Sequence, residues 1–220
     1  MTVSLKNLES KQNNMIIGIL GGSFDPIHKG HEMLARAAVK ELDLEKLIVM
    51  PTHIQPFKMG KKPSPDNDRL NMCRLAFEDD ERIEVSDYEI NEKDVSYTCE
   101  TLQFLKDHYP EDTELVFIMG TDSFLTFESW YEGKSMLKKY SLACSIRPGY
   151  KENELFERKK YYESVYGTKV YVVQEKMPDI SSTYVRNQII NGNDVSLLLN
   201  NKVKEYIERN GLYKSQEENN

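Results

Sequence analysis

The stretch MIIGILGGSFDPIHKGHEMLARAAVKEL, residues 15–42, decides the fold. MIIGIL, 15–20, is an unbroken apolar run of the kind carried by a strand buried on both faces. Gly21 and Gly22 follow it. They predict a sharp turn whose backbone can come close to a ligand. Pro26 stiffens the turn, and Asp25 is read as holding it. From His31 to Leu42 the pattern turns helical, with Met33, Leu34, Ala37, Ala38 and Leu42 on one face.

The same alternation continues outward along the chain. Strands are predicted at 46–51, 82–90, 114–120, 141–147 and 169–174. Helices are predicted at 66–79, 96–109, 152–165, 182–191 and 200–210. Ser96 or Thr98 is expected to cap the helix that Pro110 stops. Residues 52–65 read as a loop rich in Pro and Lys. This order implies βαβ units, hence an α/β fold with a mainly parallel sheet, helices on both faces and further helices at the C-terminus. Ligands of such sheets lie beyond the carboxyl ends of the strands. Residues 1–14 are read as a flexible extension, 15–213 as the domain and 214–220 as a flexible tail, with Met15 a second candidate start.

The 220 residues carry 29 Lys and Arg against 36 Asp and Glu, a formal charge of −7. An acidic chain lacks the cationic footprint of a general nucleic-acid binder. No apolar run approaches the roughly 20 residues that span a membrane, and the first 14 residues contain no secretory core. Cys73, Cys99 and Cys144 are too scattered for a disulfide framework or a metal-ligand spacing, which fits a reducing, cytoplasmic setting.

Chemistry concentrates in GGSFDPIHKGHE, residues 21–32. His28 and His31 stand three residues apart where the helix begins, and Gly30 between them leaves space. Two imidazoles beside a helix N-terminus form an anion site, suited to phosphoryl oxygens and to charge that grows during phosphoryl transfer. A zinc reading lacks a third Cys or His nearby. Dinucleotide and Walker fingerprints are absent. A second cluster, ISSTYVR at 180–186, precedes a late helix. Ser181, Ser182 and Thr183 are natural helix caps. The same hydroxyls, together with Arg186, also suit an oxyanion.

GGSFDPIHKGH resembles the (G)GxFDPxHxGH signature of the nucleotidyltransferase superfamily, and ISSTYVR its second signature, ISSTxxR. The resemblance implies a Rossmann-like fold and transfer of a nucleotidyl group from a nucleoside triphosphate to a phosphate. Further segments, SYTCETL at 96–102, GTDSFLTFESW at 120–130, IRPGY at 146–150 and VKEYIERNGLY at 203–213, are similar to bacterial-type nicotinate mononucleotide adenylyltransferases. That likeness runs from Met15 to about Tyr213.

It implies adenylyl transfer from ATP to nicotinate mononucleotide, giving deamido-NAD and pyrophosphate. Magnesium would ride on the ATP phosphates rather than in a dedicated protein site. His28, His31, Lys58 and Arg186 become the expected catalytic residues. Gly21, Gly22, Ser23, Phe24, Gly30, Gly120, Asp122, Ile180, Ser181, Ser182 and Thr183 become the expected ATP-binding set. Ser96, Tyr97, Thr98 and Trp130 would border the pyridine ring.

Two departures from the family pattern stand out. The family's Pro-His-Lys reads Pro56-Phe57-Lys58 here, and its Arg and Gly before SYT are replaced by NEKDV. Trp130 and Tyr97 also read as plain packing aromatics, Lys58 as a solvated cation, and Asp122 as a helix N-cap. Alternative functions are another adenylyl- or cytidylyltransferase, or a nucleotide-binding regulator without catalysis. A homo-oligomer is compatible with the sequence.

Overall fold

The computed structural model describes residues 15–53, 63–92, 95–146, 149 and 152–214. Six strands form one parallel sheet: β1 (Ile16–Gly22), β2 (Lys46–Pro51), β3 (Ile83–Val85), β4 (Glu114–Gly120), β5 (Ser141–Ser145) and β6 (Val170–Val173). Their order is β3-β2-β1-β4-β5-β6. The chain leaves β1 to one side for β2 and β3, then returns to the other side for β4 to β6. The crevice beyond the ends of β1 and β4 is therefore the topological switch point, where α/β sheets bind ligands.

Alternate strand residues face opposite layers. Leu20, Leu47, Val49, Val116, Ile118 and Ala143 pack with Leu34, Ala38, Met72 and Val203 on one face. Ile17, Ile19, Ile48, Met50, Phe117, Met119 and Leu142 pack with Leu102, Phe124 and Tyr162 on the other. Each fully buried Ile or Leu contributes about 1.5–3 kcal/mol from its removal from water.

The helices are α1 (Lys29–Glu41), α2 (Asp66–Phe77), α3 (Tyr88–Glu92), α4 (Thr98–His108), α5 (Thr121–Thr126), α6 (Gly133–Lys139), α7 (Glu152–Tyr166), α8 (Ser182–Ile190) and α9 (Asn201–Arg209). Among the described residues, no helix is long and apolar enough to cross a membrane.

Several local expectations change. The segment 82–90 is not one strand: pairing with β2 ends at Val85, and Tyr88 begins α3. Neither Ser96 nor Thr98 caps α4; the cap is Tyr97, which contributes no side-chain bond. Helix α1 opens at Lys29, two residues earlier than the apolar pattern shows, with His28 as its N-cap. The span between β4 and β5, left without elements in the sequence reading, holds α5, a short 3-10 turn (Phe127–Ser129) and α6.

Candidate active site

The turn after β1 is built differently from what its glycines suggest. Gly22 ends the strand, and the left-handed residue is Phe24, with φ 47°. Phe24 is buried, and its ring fills the space beside Gly22: a Cβ there would lie 3.1 Å from the ring. The Asp25–Pro26 bond is cis. This geometry carries the chain straight into α1.

His28 and His31 meet there. Their rings stack with centroids 3.7 Å apart and planes 18° from parallel. The His28 backbone N–H points at His31 Nδ1 across 3.4 Å, and the edge of Phe24 abuts His31 with centroids 5.1 Å apart. His28 is buried, whereas His31 is partly exposed. A Cβ on Gly30 would stand 3.1 Å from His28 Nδ1, so the absence of a side chain there is what lets the ring sit where it does.

The second motif is tied directly to the first. Ser181 is the N-cap of α8 and accepts the Tyr184 N–H at 3.2 Å. The Ser182 hydroxyl donates to the Pro26 carbonyl at 2.9 Å. Arg186 donates through Nη1 to the Asp25 carbonyl at 2.6 Å and through Nη2 to Thr183 Oγ1 at 3.2 Å. Its guanidinium also stands 3.9 Å from the Asp25 carboxylate. Tyr213 closes the far side of the turn, its hydroxyl donating to Asp25 Oδ1 at 2.7 Å. Burial and that neighbouring carboxylate push the Tyr213 phenol far up. Thr183 is exposed, and Ile180 anchors the segment in the core. Residues some 160 positions apart thus form one cluster, holding the helix start of α8 beside that of α1.

Gly120 and Asp122 lie at the end of β4, next to β1. Gly120 is the N-cap of α5, so the cap reading of Asp122 does not hold; Asp122 is exposed in the first turn. Trp130 is partly buried and packs on Phe127 and Phe117, with centroids 5.1 and 6.2 Å away. Gly21 backs on the same Phe117, where a Cβ would lie 3.3 Å from its ring. Tyr97 contacts Tyr131, the neighbour of Trp130, with centroids 4.7 Å apart. Thr98 is the first residue of α4. Lys58 lies outside the described residues.

Four residues that sequence reasoning did not single out also belong to this region. Arg69 is fully buried and donates to the Ser23 carbonyl at 2.7 Å, to the Ser64 carbonyl at 3.1 Å and to Asp66. Asp66 in turn holds His53 Nδ1 at 2.5 Å. The His53 backbone N–H donates to Ser96 Oγ at 3.1 Å. Below Ser96 sits Glu89, a buried carboxyl that accepts the Thr101 hydroxyl at 2.6 Å. Burial pushes its pKa up to about 6, against the lowering effect of the Thr101 and Ser96 hydroxyls. The only local sign was the place of His53 in the loop after β2; Asp66 and Arg69 lie in α2 and Glu89 in α3, where nothing in the sequence marks them.

A sequence profile of the cytidylyltransferase-like family matches residues 19–188, which includes both motifs. A Clostridium botulinum protein named probable nicotinate-nucleotide adenylyltransferase is 38% identical over 90% of this chain and 98% of its own length. The chain belongs to the nicotinate-nucleotide adenylyltransferases of the cytidylyltransferase-like family. A Desulfitobacterium hafniense relative with the same name is also 38% identical, over 90% of this chain and 95% of its own. Among solved structures, Plasmodium falciparum nicotinic acid mononucleotide adenylyltransferase complexed with NaAD superposes with a TM-score of 0.74 at 22% identity, covering 91% of this chain and 98% of that one. That likeness shows the Rossmann-like fold; the family rests on the closer sequence relatives and the two motifs.

Proposed function

We propose that the protein transfers the adenylyl group of ATP to nicotinate mononucleotide, releasing pyrophosphate and forming deamido-NAD. One observation carries the reading. The stacked His28–His31 pair and the Ser181-capped start of α8 are joined through the Asp25–Pro26 turn at the switch point of the sheet. Such a cluster of imidazoles, hydroxyls, a guanidinium and two helix starts suits a polyphosphate.

The phosphate of a mononucleotide is largely dianionic near neutral pH, its second pKa being about 6. It attacks the α-phosphorus in line; a P–O bond forms to the mononucleotide as the bond to pyrophosphate breaks. No general base is needed, and catalysis comes from alignment and charge stabilisation. His28 and His31 face the α-phosphate. Ser182, Thr183, Arg186 and the α8 N-terminus hold the leaving phosphates, with Lys58 an added cation. Gly21 to Phe24, Gly30, Gly120, Asp122, Ile180 and Ser181 line the nucleotide. Ser96, Tyr97, Thr98 and Trp130 border the pyridine ring.

Magnesium bound to ATP would neutralise charge on its phosphates. Among the described residues, no group of three or more His, Cys, Asp or Glu side chains is arranged to hold a metal. Such an ion would be ligated mainly by phosphate and water.

The test is pyrophosphate release by purified protein given ATP, magnesium and either nicotinate or nicotinamide mononucleotide. The expected result is turnover with the nicotinate form, and a loss of about 100-fold or more in kcat, with little change in KM, for His28→Ala. ATP binding without pyrophosphate release would instead make the protein a nucleotide-binding regulator.

A further inference from the structure

The loop after β2 brings a third imidazole to the same edge of the sheet. Gly22 pairs with Pro51 in the β1–β2 register, and the Thr52 N–H donates to the Gly22 carbonyl at 3.0 Å. His53 is the next residue. Its position is held from three directions: Nδ1 on Asp66 at 2.5 Å, its N–H on Ser96 Oγ at 3.1 Å, and its carbonyl accepting from Arg69 at 3.4 Å. The side chain keeps 24% of its surface exposed.

Electrostatics favours a ligand role over a purely structural one. Arg69 has no exposed side-chain surface, and Asp66 is its ion-pair partner. Those two charges cancel, so the Asp66–Arg69 pair beside His53 presents no net negative charge to an approaching anion. With Nδ1 bound to a carboxylate, the ring's other nitrogen, Nε2, is the edge that remains to bind something else. No hydrogen bond to Nε2 is made by another described residue. Arg69 also binds the Ser23 carbonyl, which fixes the triad relative to the histidine turn, and Ser96 fixes it relative to the candidate pyridine pocket.

We infer that His53 is a phosphate-binding residue, oriented by Asp66, that takes an anionic phosphate oxygen between the two halves of the site. The oxygen belongs either to the mononucleotide or to the triphosphate. This inference rests on the functional reading above. His53 replaces no expected residue; it supplies an imidazole on the loop where the family's Pro-His-Lys histidine is Phe57 here.

The experiment compares wild type with His53→Ala and His53→Gln, neither of which alters the backbone bond to Ser96. Initial rates are measured with each substrate varied, and inorganic tripolyphosphate and nicotinate mononucleotide are each titrated by calorimetry. Expected for His53→Ala is a rise of about tenfold or more in the KM of one substrate, with a matching loss of affinity, a kcat changed less than KM and an unchanged melting temperature. A rise for the mononucleotide assigns its phosphate; a rise for ATP, with weaker tripolyphosphate binding, assigns the triphosphate. Both KM values and both affinities within about twofold of wild type in the two variants would overturn the inference. If the wild type releases no pyrophosphate, the functional reading fails instead, and the two titrations still decide whether His53 binds an anion.

Discussion

Two residues at the site show how single positions set the chemistry. Gly30 sits 3.1 Å, measured from a virtual Cβ, from the His28 ring, so a methyl group there must push the imidazole aside. Gly30→Ala is expected to lower kcat severalfold while ATP affinity changes little, since the His28 ring must give by a few tenths of an ångström at a centre that tolerates little misplacement. A steady-state comparison with wild type checks this, and an unchanged kcat refutes it. Glu89 gives a pH effect with a definite sign. Its folded pKa is raised from 4.5 to about 6, so the folded state binds the proton more tightly than the unfolded state. Its contribution to stability is complete below about pH 4.5 and is lost as pH rises through about 6. Glu89→Gln removes that loss. The melting temperature of the variant, relative to wild type, should therefore be higher at about pH 7.5 than at about pH 4.5, by the equivalent of roughly 1–2 kcal/mol. A difference independent of pH would contradict the assignment.

At the scale of elements, β1 is the strand on which the others are arranged. It lies between β2 and β4, and its Gly18 faces three side chains at once. A Cβ there would meet Leu44, Leu47 and Ile118 at 2.6, 2.8 and 2.9 Å. The glycine thus serves close packing of α1's trailing loop against the sheet, and not a turn. Gly18→Ala is expected to destabilise the fold by about 1–3 kcal/mol through overpacking, read from denaturant unfolding, with activity of the folded fraction retained. Strand existence was legible in the runs MIIGIL, KLIVMP and ELVFIMG because burial on both faces demands continuous apolar sequence. The end of β3 was not legible. RIEVSDYEI reads as strand-like, its alternation slipping only at Ser86-Asp87, yet only Ile83 to Val85 pair with β2, and Tyr88 begins α3.

Across the whole molecule, the site is held by residues far apart in sequence. Arg69 links the turn after β1, the loop after β2 and the start of α2 through Ser23, His53 and Asp66. Replacing it by Met removes the guanidinium from a partly buried carboxylate and from several carbonyls. Arg69→Met is expected to cost about 3–5 kcal/mol of stability in urea unfolding. A loss below about 1 kcal/mol would show that the hub does not hold these loops together.

The sequence by itself determined the α/β class, the two phosphate-type motifs and the family, because apolar period and motif spacing are properties of neighbouring residues. It marked His28, His31, Ser182 and Arg186, but it did not show that the rings stack or that α8 is stitched to the Asp25–Pro26 turn. Only the tertiary structure decided the places of His53, Asp66, Arg69 and Glu89. Their partners lie across loop and strand boundaries, as with His53 and Ser96, 43 positions apart, or Arg69 and Ser23, 46 apart. Such bonds leave no periodic trace in the chain. They form because parallel pairing of β1 with β2 delivers both loops to one edge, where buried polar groups must find partners or bear the cost of desolvation.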